Sequence, residues 1–322
     1  MNRVVENPVL LPAALGVGSS LRVVSPASWF DVRKADDGIA KLRAMGYGAE
    51  QGTNALARYA EYFAGTVAER LEDLHAAFSN PAVDAVICNR GGYGSAELLR
   101  GLDIDLIRRN PKAFIGCSDI TTLLTWLHDA TGLVTFHGPM VAGDLAREDG
   151  VDADCWNQAL AQTSPWQLDD SSGMRILKPG RATGKFYGGC LSMLVASLGT
   201  PYEIQTHGTI LFIEDVAARP YQIDRMLQQL RLAGKLDHVH GIVFGHMLDC
   251  GQPGQPADML EKVLLRTLAD FPGPIAFGLR SGHVPSRNLT LPIGVASELD
   301  LTQTPILRFL ESAVTLEASR RA

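Results

Sequence analysis

Cysteine, positive charge and long apolar runs are all scarce in this sequence, and each scarcity removes a class of protein. The 5 cysteines, Cys88, Cys117, Cys155, Cys190 and Cys250, are scattered and form no Cys-x-x-Cys pair. They therefore indicate neither a disulfide framework nor a zinc knuckle. The formal net charge is -6, so the clustered cationic surface of a dedicated nucleic-acid binder is not expected. No uninterrupted apolar run approaches the ~18–20 residues that cross a bilayer. Residues 9–18 are apolar behind Arg3, but Pro8 and Pro12 interrupt them and Glu6 occupies the would-be basic region. The stretch reads as part of a soluble intracellular chain rather than a signal peptide.

What is there is ordinary globular material: 322 residues, 46% apolar and 20% charged, enough for two domains or one large α/β domain. Strand and helix signals alternate in the first half. Residues 21–25 form a β-branched run, and 34–45 have helical spacing ending at Gly46. Thr66 and Glu69 make a capping-box pattern ahead of Val67, Leu71, Leu74 and Phe78. Strand-like runs at 83–88, 113–115 and 133–136 each lead into a tight loop, and a helix over 120–130 stops at Gly132. This alternation predicts a parallel, Rossmann-like or flavodoxin-like sheet covered by helices. Ligands of such sheets bind beyond the strands' carboxyl ends, where the loops Asn89–Gly94 and Gly116–Asp119 fall. Residues 163–181 are polar with Gly and Pro and read as a linker. Beyond them strand signals crowd at 209–213, 239–244, 275–278, 288–291, 306–310 and 313–316, interrupted by a helix at 221–233. The expected domains are thus 1–162, the linker 163–181, and a mixed, β-rich α/β domain over 182–322.

Chemistry-bearing residues cluster at the loops. In Gly116-Cys117-Ser118-Asp119 a serine between strand and helix can sit on a sharp turn with its hydroxyl exposed, although Ile120 replaces the final glycine of a nucleophile elbow. Cys117 is a rival nucleophile that strand alternation points elsewhere, and helix capping is the plainer use of Ser118 or Asp119. A serine needs a base and an orienting acid. Of 8 histidines, His75 and His128 lie in helical segments and read as surface residues, and His238 and His240 read as structural. His137, His246 and His283 stand at strand ends. The apolar strand 209–213 ends in Glu214-Asp215, a pair that must be solvated, bridged or functional. Gly91-Gly92-Tyr93-Gly94 lacks the nucleotide-binding glycine spacing, and its backbone amides could instead face a reacting oxygen.

Together these segments resemble the LD-carboxypeptidases, the muramoyltetrapeptide carboxypeptidase family that also holds microcin-immunity-type peptidases. The resemblance runs from Phe63-Ala64-Gly65-Thr66 and Arg70 through Arg90–Gly94, Ile115–Thr121 and Thr135–Pro139. It continues through Gly188-Gly189, Gly199–Tyr202, Phe212–Val216, Pro220-Tyr221, Ile223–Leu227, Gly282-His283 and Leu289–Gly294. It implies a serine carboxypeptidase with a Ser118-His283-Glu214 triad at a two-domain interface and backbone amides of Gly92 and Asp119 as the oxyanion hole. No cofactor and no metal are implied. The implied substrate is a cytoplasmic muropeptide tetrapeptide ending in L-centre–D-Ala, and the implied assembly is a homodimer without nucleic-acid or membrane partners. Arg90 and Arg287 are the candidates for gripping the terminal carboxylate, since a guanidinium matches it as a fork. Cys117, where the family commonly has an aromatic, and Cys190, where asparagine is usual, alter the expected pocket rather than the triad. Two alternatives stand beside this reading: an immunity-type hydrolase of a peptide–nucleotide linkage, and a non-catalytic two-lobed binding protein.

Overall fold

The computed structural model describes residues 7–251 and 254–316. The chain divides into two compact units. Among the described residues, the first comprises 7–163, 286–294 and 312–316, and the second 164–285 and 295–311.

The first unit contains β1 (Ser20–Val24), α1 (Val32–Ala44), β2 (Gly48–Gln51), α2 (Val67–Ser79), β3 (Ala85–Cys88), α3 (Ile104–Arg109), β4 (Ala113–Gly116), α4 (Thr121–Thr131), β5 (Thr135–His137) and α5 (Ala153–Leu160). These five strands lie in the order β5-β4-β3-β1-β2 and pair parallel with one another. This is the flavodoxin-like doubly wound order, with its switch point between β1 and β3. Parallel strands are covered on both faces, which is why β3 (Ala-Val-Ile-Cys) and β4 (Ala-Phe-Ile-Gly) are apolar and buried at every position. The capping box at α2 forms as the sequence predicts: the Glu69 carboxylate accepts from Thr66 N at 2.7 Å, and Thr66 Oγ1 accepts from Glu69 N at 3.3 Å. Gly132, in the left-handed conformation at φ 79, closes α4.

The second unit carries β6 (Trp166–Leu168), β7 (Arg175–Lys178), β8 (Arg181–Cys190), α6 (Leu191–Ala196), β9 (Thr209–Val216), α7 (Pro220–Leu232), β10 (Gly241–Leu248), α8 (Met259–Thr267) and β11 (Ile275–Phe277). The next strand, β12 (Leu291–Ile293), belongs to the first unit, whereas β13 (Ala296–Asp300) and β14 (Ile306–Phe309) return to the second. The resulting sheet is mixed, in the order β6-β14-β13-β8-β9-β10-β11-β7, with β8 to β11 parallel at its centre. Buried Phe186, Phe212, Phe244 and Phe309 fill its core.

Three sequence-based expectations change. Residues 163–181 are not a linker: β6 and β7 are edge strands of the second sheet, and Gln167 and Arg175 occupy exposed positions that an edge allows. The strand signal at 288–291 becomes β12, which pairs antiparallel with β5 in the first sheet, so the second unit does not run unbroken to the end. Residues 313–316 make an isolated bridge, Thr315 to Ala13, rather than a strand.

Candidate active site

β4 delivers the candidate nucleophile. Its last residue is followed by Cys117, extended at φ -153 and 2% exposed, and then by Ser118 at φ 64. A left-handed serine between a buried strand and a helix is locally strained, and such strain is tolerated where the surroundings hold the turn. Here they do. A Cβ at Gly116 would stand 2.5 Å from Ile120 Cγ2, and one at Gly91 would stand 2.8 Å from Ser118 Cβ. The small residue that lets the turn close therefore stands before the serine, which accounts for the isoleucine at position 120. The two conformations also separate the rivals: Cys117 is buried in the extended strand end, while Ser118 is partly exposed.

The glycine loop lies against this turn, at the carboxyl ends of β1 and β3. Gly91 O accepts from Ser28 N at 3.2 Å. Ser28 Oγ accepts from Tyr93 N at 3.0 Å. Gly92, at φ 98, is exposed, and a Cβ on it would stand 2.6 Å from Ser28 Oγ. The two amides expected to form an oxyanion hole, Gly92 N and Asp119 N, thus belong to segments packed on each other within the first unit. Arg90 is exposed and donates from Nη1 to Trp29 O at 3.0 Å.

The candidate base and acid meet in the second unit. Glu214 ends the apolar core of β9 and is fully buried. His283 Nδ1 lies 2.7 Å from Glu214 Oε2, and His283 N donates to the same oxygen at 3.1 Å. With the carboxylate ionised, Nδ1 carries the ring proton and Nε2 keeps its lone pair for accepting another. Gly282, at φ 104, is compulsory here, because any Cβ would overlap the Glu214 carboxylate. Asp215 serves a different purpose. Its Oδ2 accepts from Ser192 N at 2.9 Å and Ser192 Oγ at 2.6 Å, which ties the start of α6 to β9. Burial pushes the Asp215 carboxyl above its ordinary value, against those hydrogen bonds.

The remaining candidates stand as follows. His137 is buried at the end of β5, opposite Leu291 in β12. His246 is half-buried in β10, and its backbone N donates to Ser281 O at 3.1 Å, so it braces the His283 loop. His128, expected at the surface, is 5% exposed, with Nδ1 3.0 Å from Leu133 O. Its ring fills the space above Gly294, where a Cβ would collide with it. His75 is half-buried and accepts a backbone bond from Asp103 N at 3.0 Å. Arg287 belongs to the first unit, at φ 49, with Nη2 3.3 Å from Asp152 Oδ2. Burial drives the Cys88 and Cys190 thiols well up and Cys250 to about 11, which disfavours these three as thiolates. Sequence reasoning missed the side chains that hold the glycine loop, chiefly Ser28 and Ser95. Their only signal was proximity to strand ends.

Comparison with known proteins places the chain in a family. The LD-carboxypeptidase N-terminal domain model matches residues 21–138, and the LD-carboxypeptidase C-terminal domain model matches residues 183–299. The chain is 39% identical over 295 residues to the "Probable murein peptide carboxypeptidase" of Bacillus subtilis strain 168, covering 91% of this chain and 92% of that protein. It is 29% identical over 331 residues to the "Microcin C7 self-immunity protein MccF" of Escherichia coli, covering 92% and 94%. The crystal structure of an MccF-like protein from Bacillus anthracis Ames superposes with a TM-score of 0.85 at 28% identity, covering 94% of this chain and all of that one (100%). The chain therefore belongs to the LD-carboxypeptidase family and is a hydrolase of the serine-type carboxypeptidase class.

Proposed function

We propose that this enzyme removes the terminal D-Ala from muropeptide tetrapeptides by hydrolysing the L-centre–D-Ala amide bond, with Ser118, His283 and Glu214 as its triad. The carrying observation is the buried Glu214 carboxylate holding both the ring and the backbone of His283, together with the left-handed Ser118 against Gly91. In this reading Ser118 Oγ attacks the scissile carbonyl while His283 Nε2 takes its proton. The oxyanion forms toward the amides of Gly92 and Asp119. His283 returns the proton to the leaving amine of D-Ala, and water then cleaves the acyl-enzyme by the same steps. Glu214 keeps the imidazole in one tautomer and stabilises it when protonated. The cytoplasmic muropeptide pool and a homodimeric assembly complete the reading, both carried by the resemblance.

A second reading has one observation in its favour. Tyr93, next to Gly92, is 52% exposed and pairs edge-on with Tyr62 at 5.4 Å, an aromatic surface on which a nucleobase can stack. Under this reading the same serine cleaves a peptide–nucleotide linkage.

The test is mass spectrometry of four substrates after incubation: a tetrapeptide ending in D-Ala, its L-Ala epimer, its D-Ala amide, and a peptide–nucleotide conjugate. Inverting the terminal Cα or removing the carboxylate charge costs a charge-assisted bond, roughly 1.5–3 kcal/mol and so about ten- to a hundredfold in rate. Preferred release of D-Ala from the first supports the carboxypeptidase reading. Comparable cleavage of the first three, or cleavage of the conjugate alone, overturns it.

A further inference from the structure

The glycine loop poses a physical problem. Three of its four residues from Gly91 to Gly94 are glycine, the residue with the most backbone freedom to lose. An oxyanion hole, however, works only when its donors are held to within a few tenths of an ångström before the charge develops. Something other than regular structure must freeze the loop.

The structure supplies it from beneath. Arg70 of α2 is 2% exposed. Its Nη1 donates to Gly94 O at 2.9 Å and to Pro26 O at 3.0 Å, which joins the far end of the loop to the end of β1. Its Nη2 pairs with Glu97 at 2.5 Å, and its guanidinium lies 4.8 Å from the Phe63 ring centre. Asp119, 3% exposed, comes from the opposite side. Its Oδ2 accepts from Ser95 N at 2.8 Å, while Ser95 Oγ donates to Asp119 O at 2.7 Å. The residue that follows the nucleophile is thus bonded through both side chain and backbone to the residue that follows the loop. The peptide plane between Ser118 and Asp119 aims Asp119 N–H, and the anchored Asp119 side chain fixes that plane. Burial, the largest influence, raises the proton affinity of the Asp119 carboxyl, against the hydrogen bonds from Ser95 and the nearby Arg70 charge. Two ionisable side chains, Arg70 and Asp119, are thus buried beneath the loop. That is an expensive arrangement unless it positions something.

We propose that Arg70, Asp119 and Ser95 form a clasp that sets the separation and aim of the Gly92 and Asp119 amides, and that their side chains are positioning residues for the tetrahedral intermediate. The inference rests on the reading of Ser118 as nucleophile and of these amides as the oxyanion hole. The clasp touches no substrate. It acts by removing loop freedom in the free enzyme, so the transition state does not bear that ordering cost.

Such a role has a signature distinct from stability. Ground-state peptide binding should survive loss of the clasp, whereas tetrahedral species should be bound less well. The experiment measures kcat, KM and the inhibition constant of a peptide boronic acid, which forms a tetrahedral adduct with the serine. The variants are Asp119→Ala, Asp119→Asn, Arg70→Gln, Arg70→Lys and Ser95→Ala, each checked for folding by thermal melting. Asp119→Ala and Arg70→Gln are expected to lower kcat by about 10²–10³-fold, the scale of losing one oxyanion donor. The boronate should weaken by a similar factor, and KM should stay within about threefold of wild type. Asp119→Asn keeps an oxygen for Ser95 N–H and should recover at least about tenfold over alanine. Ser95→Ala keeps its backbone bond to Asp119 and should fold normally, with a loss of about three- to tenfold; it and Arg70→Lys carry the test where a harsher variant fails to fold. Near-wild-type kcat in the folded variants overturns the clasp, and so does a loss of kcat with boronate affinity intact. Failure of the underlying reading looks different: Ser118→Ala would keep its turnover, and the boronate would not inhibit the wild-type enzyme.

Discussion

One oxygen of Glu214 takes two hydrogen bonds from His283, from Nδ1 at 2.7 Å and from the backbone N at 3.1 Å. The carboxylate therefore fixes the histidine's loop as well as its ring. The close approach depends on Gly282, whose φ of 104 and missing side chain leave room for the carboxylate. Gly282→Ala should cost about 1–3 kcal/mol for its backbone conformation alone and displace Glu214 besides. We expect at least a hundredfold loss of kcat and a lower melting temperature. A variant within tenfold of wild-type turnover would show that the pair does not need this geometry.

Ser118→Ala should lower kcat by on the order of 10⁴–10⁶ without unfolding the protein, since members of a triad act as a unit. Cys117→Ala removes a buried thiol in the extended strand end and should cost far less. Steady-state kinetics of the two variants decide the nucleophile. Abolition by the cysteine change would move the assignment.

Adjacent carboxylates should fail in different ways. Glu214→Gln leaves a neutral amide facing His283 Nδ1, which spoils the tautomer and should reduce kcat by about 10³–10⁴ with little effect on melting. Asp215→Asn weakens the bonds from Ser192 N and Oγ at the start of α6 and should lower stability by about 0.5–2 kcal/mol, with turnover within about tenfold. Equal losses of turnover would contradict the division of labour.

His75 should make stability depend on pH. Its Nε2 accepts from Asp103 N, so the ring must be neutral there. Burial, the larger influence, holds its pKa below the ordinary 6.5, with Asp103 pulling the other way. As pH falls below about 6.5, the unfolded chain takes up the proton before the folded one does, so stability drops from that point down to the folded pKa. His75→Gln retains an oxygen acceptor and no titration. Urea midpoints at pH 7.5 and 5.5 should therefore differ less in the variant than in wild type. Identical differences would rule His75 out as a contributor.

Much of the molecule is legible from consecutive residues. The capping box of α2, the buried runs of β3 and β4, and the stop at Gly132 depend on neighbours within a few positions. A local pattern suffices for them, and the alternation they create implies a parallel sheet with loops at its carboxyl ends. The sequence alone also singled out the segments that hold Ser118, Glu214 and His283.

Pairings between distant residues were decided only by tertiary structure. β6 and β7, set among polar Gly- and Pro-containing residues, look like a linker until β14 and β11 are beside them. β12 carries a strand signal, but nothing local says that it crosses back to β5. Glu214 and Asp215 are equivalent as letters; strand alternation sends one toward His283, 69 positions away, and the other toward Ser192. His128 has the pattern of a helix surface and is covered by Gly294. Local turn and periodicity rules act over a few residues of chain. Which buried charge meets which partner depends on how sheets order their strands, and that is settled by packing across the whole fold.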